Sequence, residues 1–410
     1  MRMSHTQHRR QLRTLIILTT SLAALALVSA ALGGCLGGPA PVTPTPTRTK
    51  APPTPEPTAT PSPPPTATPL PTWTATPQAT PTPTPWPEDV NPLTGEVVDD
   101  QSHLERVPVA IKISNWPGQY VRPQSGINSA DIIFEHYNEG WFATRWTAVF
   151  LGESPERVGP VRSGRIIDLE IPAMYRAVFA NSGFSNGVVA LFRDSDLYPD
   201  WVVSDSLPET IQPRPFYRDY SRDVPLEHTM YTSPALVREW AAVRGIEGRQ
   251  ELPPMVFTET PGPDMEASGP ASTVRIPWYR LDAEWRYDED SERYLRWSDG
   301  AAHLDAVSGQ QLNAANVVVL YVPQWNTDIV EEPHSGSLSI RWALWNEDNP
   351  YRPAILFRDG KRYDGTWNRE DRRAAVTVAD EDGNPLPFKV GSLFFEVVPQ
   401  GERAIDIVVE

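Results

Sequence analysis

Cysteine is nearly absent: Cys35 is the single one in 410 residues. No intramolecular disulfide can form, so packing alone must hold the folded part. Lysine is scarce as well, with Lys50, Lys112, Lys361 and Lys389 the only four among 36 basic residues. Basic chemistry therefore rests on arginine, whose planar fork suits bidentate contact with carboxylates or phosphates. An excess of positive charge is missing too. The formal charge is −16, and residues 1–87 carry six basic side chains (Arg2, Arg9, Arg10, Arg13, Arg48 and Lys50) against one acid, Glu56, so the remainder is more acidic still. Such a surface repels phosphate backbones over about a Debye length, which argues against nucleic acid as a partner. One long apolar run stands out, Leu15 to Leu32.

Four arginines precede that run, the arrangement of a secretory signal. It ends in Leu32-Gly33-Gly34-Cys35, which resembles the lipobox of bacterial lipoproteins. Small residues there suit the signal peptidase, and the thiol is the atom that accepts a diacylglycerol. An uncleaved anchor is the alternative, since about 18 residues are only just enough to span a bilayer. The position of the lone cysteine at the cleavage point favours lipidation of Cys35. Arg9-Arg10 loosely resembles a twin-arginine signal, but His8 stands where Ser or Thr usually precedes the pair, so Sec export is expected. The expected location is the extracytoplasmic face of the cytoplasmic membrane, with the lipid on Cys35 as the membrane contact. Lipidation would use the only thiol and exclude every cysteine-dependent enzyme class.

Nineteen of the 45 prolines lie between Pro39 and Pro87, in repeats such as Thr80-Pro-Thr-Pro-Thr-Pro85. Proline fixes φ and removes a donor, so residues 36–87 read as an extended polyproline stalk with no core. At ~3.1 Å per residue it reaches roughly 160 Å at most. Two globular regions are expected after it, 88–250 and 271–410, joined by a Pro- and Gly-rich linker over 251–270.

The first region reads as mixed α and β. Val107 to Ile113 is a buried strand, and Ile132 to Tyr137 with Thr144 to Leu151 form a hairpin around Asn138-Glu139-Gly140. Ser163 is a plausible cap for a helix from Arg165 to about Arg176, although Pro172 would kink it. Ala177 to Ala180 reads as a strand. Ser233-Pro234 opens a second helix that ends near Gly245.

Several motifs in this region occur together and in order: Asn91-Pro-Leu-Thr-Gly95, Arg122-Pro-Gln-Ser-Gly126, Ala130-Asp131, Glu139-Gly140, Thr144-Arg145 and Gly159-Pro-Val-Arg-Ser163 with Arg165. Together they resemble the YerB-like lipoprotein family over about 91–400. The resemblance implies an architecture and a location, but no reaction. Ser114 stands before Asn115 where an Asp is expected from that family, and Gly164 replaces its usual Ala.

The second region is β-rich. Leu338, Ile340, Trp342 and Leu344 alternate with smaller or polar residues, the period of a half-buried strand. Val317 to Val322 is a continuous apolar run, and Asp-Gly pairs at Asp299, Asp359, Asp364 and Asp382 signal turns. The fold class expected is α+β, a mixed domain followed by a small antiparallel barrel or sandwich. Asn316-Val317 and Gly365-Thr-Trp367 match the resembled family's C-terminal domain.

Candidate chemistry is sparse. Arg145, Arg162, Ser163 and Arg165 form the best constellation, an anion site at an expected helix start. These arginines could instead pair with Glu135, Glu139 or Asp168. Glu135, His136 and Glu139 make a poor metal set, because neighbours on a strand face opposite ways. Ser163 with His228 lacks a Gly-x-Ser-x-Gly elbow. Glu135 with Glu139 would serve glycoside hydrolysis at a suitable separation. No catalytic residue, cofactor or metal is assigned. The expectation is a non-catalytic module that binds an anionic or glycan wall component or an envelope protein, with a carboxylate-dependent wall hydrolase as the alternative.

Overall fold

The computed structural model describes residues 87–346, 349 and 351–410. The signal segment, Cys35 and the stalk up to residue 86 lie outside them.

Strands β1 (Val109–Ser114), β2 (Ile132–Tyr137) and β3 (Thr144–Phe150) are buried along their whole length. Burial on both faces explains their apolar sequence. It also means that Lys112, Glu135, His136, Arg145 and Thr147 must find partners inside the protein. β2 and β3 form the expected antiparallel hairpin, with a 3-10 turn at Glu139–Trp141. β3 also pairs antiparallel with β1, which runs parallel to β4 (Val178–Asn181), itself parallel to β5 (Val202–Ser204).

Helices are short: α1 (Gly118–Val121), α2 (Ile171–Met174), α3 (Asn186–Arg193) and α4 (Pro234–Ala242). α4 begins as expected, with Ser233 Oγ accepting the Leu236 N–H at 3.2 Å. The expected helix from Arg165 to Arg176 is not a single helix. Asp168 accepts the Arg165 N–H at 2.7 Å and closes a four-residue 3-10 turn at Ile166–Leu169. α2 restarts two residues later around Pro172, which has no N–H to continue the earlier turn. Ser163 caps neither piece. α3 was not expected; Val188 and Phe192 bury one of its faces, and the Phe192 ring lies 4.2 Å from that of Phe184.

The second half contributes β6 (Thr273–Trp278), β7 (Leu281–Asp288), β8 (Arg293–Ser298), β9 (Asn316–Val322), β10 (Gln324–Glu332), β11 (Ser337–Trp342), β12 (Pro353–Arg358), β13 (Lys361–Asn368), β14 (Thr377–Ala379) and β15 (Leu393–Pro399). All of these but β10 and β11 divide between two sheets. β9 and β12 to β15 continue the sheet of the first half in the order β14-β13-β12-β9-β15-β2-β3-β1-β4-β5. β15 lies between β9 and β2 and runs parallel to both. The meander β6-β7-β8 forms the centre of a six-stranded sheet. That sheet faces the large one, with Trp285 and Phe394 ring centroids 4.7 Å apart. One apolar core runs through both halves, from Leu93 to Ile405. Residues 251–270 are tied down by short pairings, Phe257–Thr258 with Phe388–Lys389 and Gly269–Pro270 with β13. β10 and β11 make a separate two-stranded ribbon.

Asp299-Gly300 and Asp359-Gly360 are tight turns with positive φ at both residues, as hairpin geometry requires. Asp364-Gly365 is not a turn. It lies inside β13, where the missing Cβ of Gly365 lets the Ala379 carbonyl of β14 approach.

Candidate functional site

Three buried charge clusters fix the interior around the hairpin of β2 and β3. The first centres on Lys112. Its three N–H bonds go to His136 Nε2 (2.7 Å), Thr147 Oγ1 (2.8 Å) and Asp168 Oδ1 (2.9 Å), so its donor capacity is filled. His136 Nδ1 lies 2.8 Å from the Tyr137 carbonyl, which can only accept. The proton therefore sits on Nδ1, and Nε2 receives the ammonium. Burial pushes Lys112 down to about 8 against the pull of Asp168. Burial and the Lys112 charge keep His136 well below its usual range.

The second cluster joins the halves. Parallel pairing of β2 with β15 sets Glu135 beside Glu396. Arg296 of β8 reaches both, donating to Glu135 Oε2 at 2.6 Å and Glu396 Oε1 at 3.0 Å. Trp285 Nε1 also donates to Glu396 at 2.9 Å, and Thr144 and Asn115 donate to Glu135. Both carboxyls are fully buried. Burial and the neighbouring Glu135 push Glu396 up to about 8.

The third cluster leads toward the surface. Arg165 donates to Glu139 Oε2 at 2.5 Å, and Arg145 lies 3.5 Å from Glu139 Oε1. Arg145 also donates to the Ser163 carbonyl at 2.7 Å. Burial opposes ionisation of Glu139, but the two guanidiniums outweigh it and hold its carboxyl at about 2.

Beyond this last cluster opens a cleft of about 450 Å³. The loop after β1 supplies Trp116 and Tyr120, the β2–β3 turn supplies Glu139 and Phe142, and the segment before Thr229 supplies Glu227 and His228. The ribbon of the second half closes one side with Glu332, Ser335 and Ser337. The cleft is thus built by both halves.

Arg162 projects into it half-buried, and its guanidinium has no hydrogen bond or ion pair among the described residues, although Glu227 is the acid that acts on it most. His228 is buried, and its Nδ1 has no partner among them. Burial first, and then the Arg162 charge, push its imidazole down to about 4, so it is neutral at physiological pH. Tyr120 stacks against it at 5.7 Å. The rim is aromatic: Trp116 meets Phe142 edge-on at 5.7 Å, and the Arg280 guanidinium lies 4.7 Å over Phe142.

Of the four expected anion contacts, Arg145 and Arg162 line this cleft, whereas Arg165 and Ser163 do not. Arg145 and Arg165 already hold Glu139, so Arg162 is the cation left open. No helix N-terminus assists it, because the 3-10 turn after Arg165 is capped by Asp168. Glu135 is fully buried and shares no cleft with Glu139, which removes that pair as the two carboxylates of a hydrolase. The set Glu135, His136 and Glu139 is divided among Arg296, Lys112 and the arginine pair, and no cluster of three metal-ligating side chains occurs among the described residues. His228 reaches the cleft without Ser163. Trp116, Phe142 and the ribbon residues were missed by sequence reasoning; an aromatic set between Asn115 and Pro117 in a loop was the one local signal.

The two-sheet α+β architecture and its motifs define a family. Residues 93–247 match the domain described as "Protein of unknown function (DUF3048) N-terminal domain", and residues 274–395 match its C-terminal counterpart. The chain belongs to this family, the YerB-like proteins. It is 28% identical over 320 residues to "Putative lipoprotein YerB" of Bacillus subtilis (strain 168), covering 76% of this chain and 87% of that one. The crystal structure of the YerB protein from Bacillus subtilis matches with a TM-score of 0.63 at 26% identity, covering 78% of this chain and 99% of the other.

Proposed function

We propose that this protein is a lipoprotein tethered at the extracytoplasmic face of the membrane through Cys35, and that its cleft binds an anionic component of the cell envelope. The relative's name, the lipobox-like Leu32-Gly33-Gly34-Cys35 and the Pro/Thr stalk support the tether. The open guanidinium of Arg162, in a chain where acids outnumber bases 52 to 36, carries the binding reading. An unpaired arginine among so many carboxylates is a place kept for an outside anion, since charge-assisted bonds to guanidinium are among the stronger ones. Arg145 with Glu139 would form a fixed wall, and Arg162 the contact.

The test is calorimetric titration of the purified full-length protein, in detergent, with muropeptides and other soluble anionic wall fragments. Arg162→Ala should lower the affinity of whichever fragment binds by at least tenfold and leave the melting temperature within a few degrees. Unchanged affinity in the variant would sink the assignment.

A further inference from the structure

Building on that reading, we propose that the occupant of the cleft is a saccharide carrying a single carboxylate, and not a polyanion. Three observations lead there. The charge lining the cleft is mixed: Arg145 and Arg162 face Glu139, Glu227 and Glu332, with Arg280 outside at the rim, so a chain of phosphates would meet two carboxylates beside Arg162. A ligand with one negative group and otherwise neutral polar atoms avoids that repulsion.

The polar groups left open also call for different partners. Arg162 can only donate, and suits a carboxylate. His228 lines the cleft as a neutral imidazole, whose ring nitrogens accept at one position and donate at the other, which matches a hydroxyl or an amide. Ser335 and Ser337 on the ribbon, with Asn138 on the turn, extend the same neutral polar lining.

The rim supplies flat apolar faces. Phe142 is 40% exposed and Trp116 half-exposed, set edge-to-face at the mouth. Sugar rings present C–H faces to such aromatics, and amphipathic aromatic rings serve sites that are apolar on one side and wet on the other. A carboxylate, ring hydroxyls and C–H faces coincide in an acidic sugar.

The experiment titrates the full-length protein with three probes: a tetrasaccharide of one glucuronic acid and three N-acetylglucosamine residues, which carries one carboxylate, neutral chitotetraose, and inorganic tripolyphosphate. The acidic tetrasaccharide should bind at least tenfold more tightly than either other probe. Arg162→Ala should erase its advantage over chitotetraose, and Phe142→Ser should weaken both saccharides several-fold, with melting temperature as the folding control. Tripolyphosphate binding tightest, with the effect lost in Arg162→Ala, would overturn the saccharide proposal and leave anion binding standing. Equal affinity for the acidic and neutral tetrasaccharides would overturn the carboxylate requirement. Failure of all three probes to bind would overturn the saccharide proposal, and the muropeptide titration above then decides the anion reading separately.

Discussion

Replacing Glu396 by glutamine should make this protein more stable in mildly alkaline solution and change little in acid. Glu396 lies against Glu135 in the β2–β15 register, fully buried, with Arg296 shared between them. Burial and Glu135 push it up to about 8, so the folded protein keeps a proton that the unfolded chain releases near the ordinary 4.5. Stability from this group is whole below about pH 4.5 and is lost as the pH rises through about 8. A tenfold preference for the protonated form corresponds to about 1.4 kcal/mol, so a carboxyl held so far above its ordinary range contributes on the order of a few kcal/mol. Glutamine keeps an oxygen for Trp285 and Arg296 but cannot ionise. Urea unfolding of the full-length protein at pH 5, 7 and 8.5 should show a falling midpoint in the wild type and a flatter one in Glu396→Gln. The variant should be the more stable of the two at pH 8.5. Parallel pH dependences in the two proteins would refute the idea that Glu396 carries a proton in the fold.

Lys112→Met should cost about 3–5 kcal/mol, because it leaves Asp168 buried without its cation; Asp168→Asn in the same chain should recover part of the loss in a thermal melt. Gly164→Ala should destabilise by about 1–3 kcal/mol by overpacking, since the new methyl would strike the Phe184 ring. Chemical denaturation reads that difference directly. Gly187→Val should push against Ile329, whose Cγ2 lies 2.6 Å from where a Cβ would stand, and so shift the ribbon away from α3. Its signature is a several-fold loss of affinity in the cleft, measured by titration, larger than any loss of affinity from the exposed substitution Val243→Ala.

Much of the fold was legible because strands and turns report themselves locally. The β2–β3 hairpin, the apolar run of β9 and the capped start of α4 all follow from side-chain period and end signals within a few residues. Asp364-Gly365 misled for the same reason: the pair is a turn signal by composition, but here the glycine makes room for a neighbouring strand. Pro172 correctly warned of a break in the helix, yet the break is completed by Asp168 folding back onto Arg165. The motifs that carried the family resemblance proved mainly structural. Asn91 donates to Asp131 at 2.6 Å, and Gln124 lies 2.7 Å from His303 of the other half.

The cleft was far less legible. Arg145, Arg162 and Arg165 look equivalent along the chain, and nothing local says which will be neutralised. That was decided when the β2–β3 turn brought Glu139 between two of them. The sequence by itself determined the acidity, the arginine bias, the apolar run near the N-terminus and the succession of short strands, because each depends on composition or on neighbours. Only the tertiary structure decided that β15 would enter beside β2, that Glu135 and Glu396 would share one arginine, and that a ribbon from the second half would wall a cleft of the first. Those contacts join residues hundreds of positions apart, and their energy depends on burial and charge compensation that no local period records.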